Sequence, residues 1–302
     1  MRIGVDLGGT KIEVAALDDD GAVRFRYRRP TPHGNYGATV MAIAEAVAIA
    51  ESETGVRANV GIGIPGTISP ATGLVKNANS TWLNGQPLDR DLEIALQRPV
   101  RIANDANCLA LSEALDGSAA GTSCVFGAIL GTGVGGGLVI DGHVLTGANA
   151  ITGEWGHNPL PWPDPQELSG PPCWCGKQGC IETWISGPAL RRQHLERTGK
   201  PQDASEIAAM AAAGDAAATA TMDRYEGRLA RALAHVVNLL DPDAIVLGGG
   251  LSNIPRLYES LPQLWGKWIF SDRVTTRILP PLHGDSSGVR GAAMLWPKDC
   301  HR

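Results

Sequence analysis

The sequence predicts an α/β protein of two domains in which the second half repeats the first, and three observations predict it. A strand, a glycine turn, a second strand and a further turn open the chain, and the same series starts again at Cys124. The glycines, 38 in 302 residues, gather at strand ends: DLGGTK (6–11), GIGIPG (61–66), GTGVGGG (131–137) and LGGG (247–250). Apolar runs of strand length alternate with helical spacing in both halves, as they do in α/β proteins.

In order, Met1 to Asp6 reads as a strand, turning through Leu7–Thr10 into a second strand from Lys11 to Leu17. Asp18 to Gly21 is a turn, and Val23 to Tyr27 a third strand. Val40, Ile43, Val47 and Ala50 share a face of a helix over 38–52. Strand 60–64, a loop-rich stretch to Pro87, a short helix at 89–97 and strand 100–103 follow, and Asn104-Asp105 opens a helix to Leu115. The repeat runs through strand 124–130, a GTGVGGG turn, strand 137–140 and the pair 143–145. A loop-rich insertion spans 147–188, and helices fill 204–240, where Tyr225, Leu229, Leu233, Val236 and Leu240 line one face. Asp241-Pro242 stops them before strand 244–247, and a helix over 286–295 closes the chain.

Hydrophobic content of 43% with 19% charged residues belongs to a globular protein. Net charge is −5 and the basic residues are dispersed, which excludes the footprint of a nucleic-acid or anionic-membrane binder. No apolar run reaches the length of a membrane span, and the N-terminus enters a strand without a leader pattern. The expectation is a cytoplasmic protein with reduced thiols.

Gly131, Gly133 and Gly136 match G-x-G-x-x-G, as do Gly61, Gly63 and Gly66, but neither set leads from a strand into a helix, so neither is a dinucleotide motif. The lysine of a P-loop is absent too, since Thr10 stands in its place. What remains is a pair of hairpin loops whose backbone amides cradle phosphate, against the plainer reading of two tight turns. Asp105 stands where a helix N-cap stands and equally where a cleft-facing base would, and spacing alone leaves both open.

Cys173, Cys175 and Cys180 form C-x-C-x4-C. The first two are too close for an unstrained disulfide, and thiolates at this density suit a tetrahedral Zn²⁺ whose fourth ligand is most commonly histidine. His157 is the nearest histidine upstream. His194 lies downstream beside Arg191 and Arg192, where a solvated helix face is expected. His33, His143, His235, His283 and His301 read as surface or packing residues, Cys108 and Cys124 as packed thiols and Cys300 as a tail thiol.

DLGGTK, GIPG, NDANC, GTGVGGG, GEWGH, CWCGKQGC-IE and LGGG occur together and in the order found in the ROK family of sugar kinases, which the whole chain resembles. Through NANSTWLNGQP (77–87) and GEWGHNPLPW (153–162) it is most similar to the bacterial fructokinase (manno/fructokinase) branch. The resemblance implies a duplicated actin-like ATPase (ribonuclease H-like) fold with an interdomain cleft. It divides the chain into 1–116 plus 288–302 and a larger domain, 117–287, with a zinc-binding insertion. It implies ATP and a hexose as small-molecule partners, Mg²⁺, a structural Zn²⁺ and a homodimer.

Asp105 is then the base that accepts the proton of the sugar 6-hydroxyl, and Gly66, Asn79, Asn104, Asp105, Glu154, His157 and Glu182 bind the sugar. Asp6 stands near Mg²⁺. Gly8, Gly9, Thr10 and Lys11 hold phosphate from one side, Gly131, Thr132 and Gly133 from the other, and Gly248 and Gly249 admit adenosine. His157 joins Cys173, Cys175 and Cys180 on zinc, and Trp82 is expected to pack rather than stack on the sugar. Fructose is the expected acceptor, with mannose and glucose as secondary ones; N-acetylglucosamine kinase and a non-catalytic sugar sensor are the alternatives. A family repressor would carry a helix-turn-helix ahead of strand one, which is not expected since strand one begins at Arg2.

Overall fold

The computed structural model describes residues 1–297. Cys300, His301 and the end of the expected 288–302 segment lie outside the described residues. The chain divides into two compact units, one formed by Met1–Gly121, Gly137–Thr152 and the segment from Leu282, the other by Thr122–Gly136 and Gly153–Pro281. The first unit therefore takes in 137–152, which the sequence had placed in the second domain.

The apolar strands β1 (Arg2–Leu7) and β2 (Lys11–Leu17) form an antiparallel hairpin, extended by β3 (Val23–Pro30). Helix α1 (Tyr36–Thr54) starts where the Asn35 side chain accepts the Ala38 N–H at 2.9 Å and ends where Gly55 turns left-handed. β4 (Asn59–Ile64) pairs parallel to β1, and the short hairpin β5 (Thr67–Ile68) and β6 (Val75–Lys76) leads to α2 (Leu88–Leu96). β7 (Val100–Asn104), parallel to β4, runs directly into α3 (Asp105–Leu115). The resulting sheet has the order β3-β2-β1-β4-β7.

The second sheet repeats it: β8 (Cys124–Leu130), β9 (Val134–Ile140) and β10 (His143–Val144) are joined by later strands in the order β10-β9-β8-β11-β12. The insertion holds short turns and α4 (Glu182–Ile185). α5 (Gly187–Thr198), α6 (Ala204–Ala212) and α7 (Ala216–Leu240) follow, then β11 (Ala244–Gly248), α8 (Arg256–Leu264), β12 (Arg277–Leu279) and α9 (Ser287–Met294).

β9 begins three residues before the expected Gly137, so Gly135 and Gly136 belong to a strand and not to a turn. Packing explains the composition: a Cβ on Gly136 would stand 2.6 Å from the Phe126 ring. α8 is not among the elements expected from the sequence; Pro255 precedes it and Pro262 lies inside it, yet Leu257 and Leu261 bury one face and hold the short helix. β12 is three residues long, too short to show a period.

In the first unit the core lies between the sheet and the helices, with Ile3, Val5, Val14, Ile43, Val47, Val60 and Ile62 fully buried. α9 packs against β1, β4 and α3. Its backbone comes so close that a Cβ on Gly61 would lie 2.9 Å from the Ala292 carbonyl carbon, so only glycine fits there. Glu113, fully buried in α3, fastens this arrangement by accepting the N–H groups of Ser118 and Leu282, each at 2.9 Å, and the Ser287 hydroxyl at 2.7 Å. Burial pushes its carboxyl up, but those hydrogen bonds win and hold it below the ordinary glutamate range.

Candidate active site and metal cluster

In the first unit the continuity of β7 and α3 places Asn104 and Asp105 at a strand-to-helix junction. Asn104 is the N-cap: its Oδ1 accepts the Ala106 N–H at 2.9 Å, while its Nδ2 donates to the Gly66 carbonyl at 3.0 Å. Asp105 also accepts the Ala106 N–H, at 2.8 Å. Asn104 is thus the cap and Asp105 the first residue of the helix. Gly66 is left-handed (φ 72°), and a Cβ there would meet the Ala78 amide at 2.7 Å. Asn104, Gly66 and the 77–80 turn are therefore one braced group, with Asn79 exposed at its edge.

Asp6 lies near the end of β1, opposite Glu13 of β2 and Gly63 of β4. Burial pushes its pKa to about 7, and the neighbouring charges of Asp105 and Glu13 push the same way against Lys11 and Arg28. The Cys108 thiol behind them is raised too, by burial and by both aspartates, and is an inert packing group. In the 8–11 loop the Gly8 N–H is spent on the Lys11 carbonyl at 2.9 Å. The Lys11 ammonium sits 3.8 Å from Glu13, a buried carboxylate also paired with Arg26 and Arg28 at 2.6 Å each.

In the second unit, Glu182 opens α4 and accepts the Val134 N–H at 2.9 Å on Oε2 and the Trp174 indole N–H at 2.8 Å on Oε1. Gly133 permits this, because a Cβ there would stand 2.7 Å from Oε2. The Gly131 amide donates to the Gly133 carbonyl at 3.0 Å and the Gly131 carbonyl accepts from Gly187 at 2.8 Å, so the 131–133 loop containing Thr132 is held from within. Gly249 is left-handed (φ 78°) and follows Gly248, the last residue of β11.

The half-buried Glu154 precedes the short turn Trp155–His157, which carries His157 toward the cysteines. The ligand atoms of His157, Cys173, Cys175 and Cys180 all lie within 4.8 Å of one another. Cys175 and Cys180 sulfurs are 3.6 Å apart and unbonded, and Cys173 Sγ is 3.6 Å from His157 Nδ1. A tetrahedron with metal–sulfur bonds of about 2.3 Å has an edge of about 3.8 Å, so the four residues fit a tetrahedral cation. Left-handed Gly176 and Gly179 supply the turns that bring the thiols together.

One sequence expectation changes. His194 is not solvated: it is fully buried, with Nδ1 3.1 Å from the Thr221 hydroxyl. Lys11 stays half-exposed, with its ammonium beside the Glu13 carboxylate. Trp162 of the NPLPW segment stacks on Trp268 at 5.3 Å between centroids, a packing contact. Trp82 packs as expected, its indole N–H donating to Thr39 at 3.3 Å and its ring against His33. The Glu13 cluster was missed, although a lone acid in KIEVAAL facing the alternating arginines of VRFRYRRP was a signal for it.

The ROK family model matches residues 2–299. An N-acetyl-D-glucosamine kinase of Salmonella paratyphi A is 42% identical over 300 residues, 98% of this chain and 99% of that protein. Among solved structures, a ROK hexokinase from Thermus thermophilus superposes with a TM-score of 0.85 at 34% identity, covering 97% of this chain and 96% of the other. A ROK family glucokinase from Streptomyces griseus, in complex with glucose and AMPPNP, superposes at 0.80 with 29% identity, covering 97% and 98%. With one strand order used in both sheets and agreement along nearly the whole chain, this α/β protein has the duplicated actin-like ATPase fold and belongs to the ROK family.

Proposed function

We propose that the protein is an ATP-dependent hexose kinase that transfers the γ-phosphoryl group to the 6-hydroxyl of its sugar. The observation that carries this reading is Asp105 at the start of α3, within electrostatic reach of Asp6 and next to the Asn104–Gly66 tie. Asp105 would accept the hydroxyl proton as the sugar oxygen bonds to the γ-phosphorus and the bridging oxygen leaves with ADP. A carboxylate of ordinary basicity suffices, because the transition state is loose and the proton leaves late. Asn79, Asn104, Glu154, His157 and Glu182, with the Gly66 backbone, would orient the sugar, and positioning supplies much of the rate.

Gly8 to Lys11 and Gly131 to Gly133 would line the phosphates, and Gly248 and Gly249 the adenosine. Mg²⁺, when bound, neutralises phosphate charge, and Asp6 offers it an oxygen of the kind hard cations take. His157, Cys173, Cys175 and Cys180 would hold Zn²⁺ in a closed site whose contribution is to fix the loop carrying them.

Two acceptors rest on different observations. The 77–87 segment favours fructose, with mannose and glucose as secondary sugars, and Ala78 of that segment lies against Gly66. The names of the 42% identical relatives favour N-acetyl-D-glucosamine over fructose. ADP release measured with fructose, mannose, glucose and N-acetylglucosamine side by side decides. A preference of more than about tenfold for the amino sugar removes fructose, and no ADP release with any of the four removes the kinase reading.

A further inference from the structure

Trp174 stands between Cys173 and Cys175 with 69% of its surface exposed, so burial does not explain where its ring lies. Two directed contacts do. Its indole N–H donates to Glu182 Oε1 at 2.8 Å, and its ring meets the His157 imidazole edge-on at 4.9 Å between centroids. Glu182 Oε2 is meanwhile held by the Val134 amide at 2.9 Å. Each oxygen of this carboxylate therefore has one fixed donor, one from the cysteine loop and one from the start of β9, and its plane is set by the pair.

We propose that Trp174 is a positioning residue for the hexose: it holds the Glu182 carboxylate in the orientation that receives sugar hydroxyls. This rests on the sugar-binding role of Glu182 proposed above. An ionised carboxylate has about four acceptor sites, and the two fixed donors leave roughly two for a pair of adjacent hydroxyls. Without the indole N–H, the carboxylate keeps only the Val134 tether and can rotate about it, so sugar binding must first restore the orientation. Because its neighbours on both sides are cluster cysteines, Trp174 also ties Glu182 to the 173–180 loop.

Trp174→Phe removes the donor and keeps a ring for His157, and Trp174→Ala removes both. The measurements are hexose affinity by calorimetry without nucleotide, hexose and ATP KM, kcat, bound metal by elemental analysis, and melting temperature. Trp174→Phe should weaken hexose binding and raise the hexose KM about fivefold, the size of one modest hydrogen bond. ATP KM, kcat, metal content and melting temperature should stay as they are. In a Glu182→Gln background the same substitution should have a clearly smaller effect, because the carboxylate it orients is gone.

An unchanged hexose affinity in Trp174→Phe overturns the proposal. So does a loss of hexose affinity that comes with equal losses of metal and thermal stability, which would mark a general loosening of the loop. Hexose binding by the native protein without ADP release overturns the kinase reading alone, and no binding of any of the four hexoses overturns both.

Discussion

Asp6→Asn is the perturbation with the sharpest pH signature. The substitution keeps the shape of a half-buried side chain and deletes a charge held close to Asp105 and Glu13. An aspartate raised from 3.8 to about 7 takes up its proton more readily folded than unfolded. Its contribution to stability is therefore full below about pH 4 and lost as pH rises through 7. Integrating between these two values, native Asp6 contributes on the order of 3 kcal/mol at pH 5 and almost nothing at pH 8, whereas asparagine contributes equally at both. The variant should gain on the native protein by about 2–3 kcal/mol between pH 5 and pH 8. Urea denaturation of both proteins at the two pH values, without nucleotide or divalent cation in the buffer, reads this difference, and titrations common to both cancel. The same variant should lose most of its Mg·ATP-dependent turnover. An equal stability difference at both pH values would show that Asp6 is not the group burdened by its acidic neighbours.

Cys175→Ser should lower bound zinc and hexose affinity together, measured by elemental analysis and calorimetry; zinc loss with unchanged hexose KM and kcat would detach the cluster from the sugar. Gly133→Ala places a methyl 2.7 Å from Glu182 Oε2, so the carboxylate must move, and the hexose KM should rise about tenfold with little change in melting temperature. Glu113→Gln replaces two carboxylate acceptors by one in a fully buried site and should cost about 2 kcal/mol in denaturant unfolding. Because the native carboxyl lies below its ordinary range, that deficit should shrink as pH falls below about 4.

The duplication was legible because each half states it in glycines and apolar strands of clear period, and the sheets share one order. The cysteine cluster was legible because turn glycines flank thiols close in sequence. Elements that lean on tertiary contacts were not: α8 survives its prolines by burying Leu257 and Leu261, and β12 exists through pairing with β11. Buried polar groups were the hardest to read. His194 has two arginines before it and looks solvated, but the pitch of α5 turns it inward to Thr221. Trp174 looked like an arbitrary residue between two cysteines, since nothing in its neighbourhood announces that its partner is Glu182, eight residues on.

The place of α9 bears on the birth of the protein as well as its packing. Within the first unit, the face of β1 and β4 is closed by Ser287–Met294, which is translated long after both strands. Domains ordinarily condense in the order they are made. Here the sheet holding β1 and β4 must wait with one side uncovered until α9 has been made, and a chain stopped before residue 287 presents that bare side to its surroundings. Quality control of a truncated product could recognise it by the exposed β1–β4 surface alone.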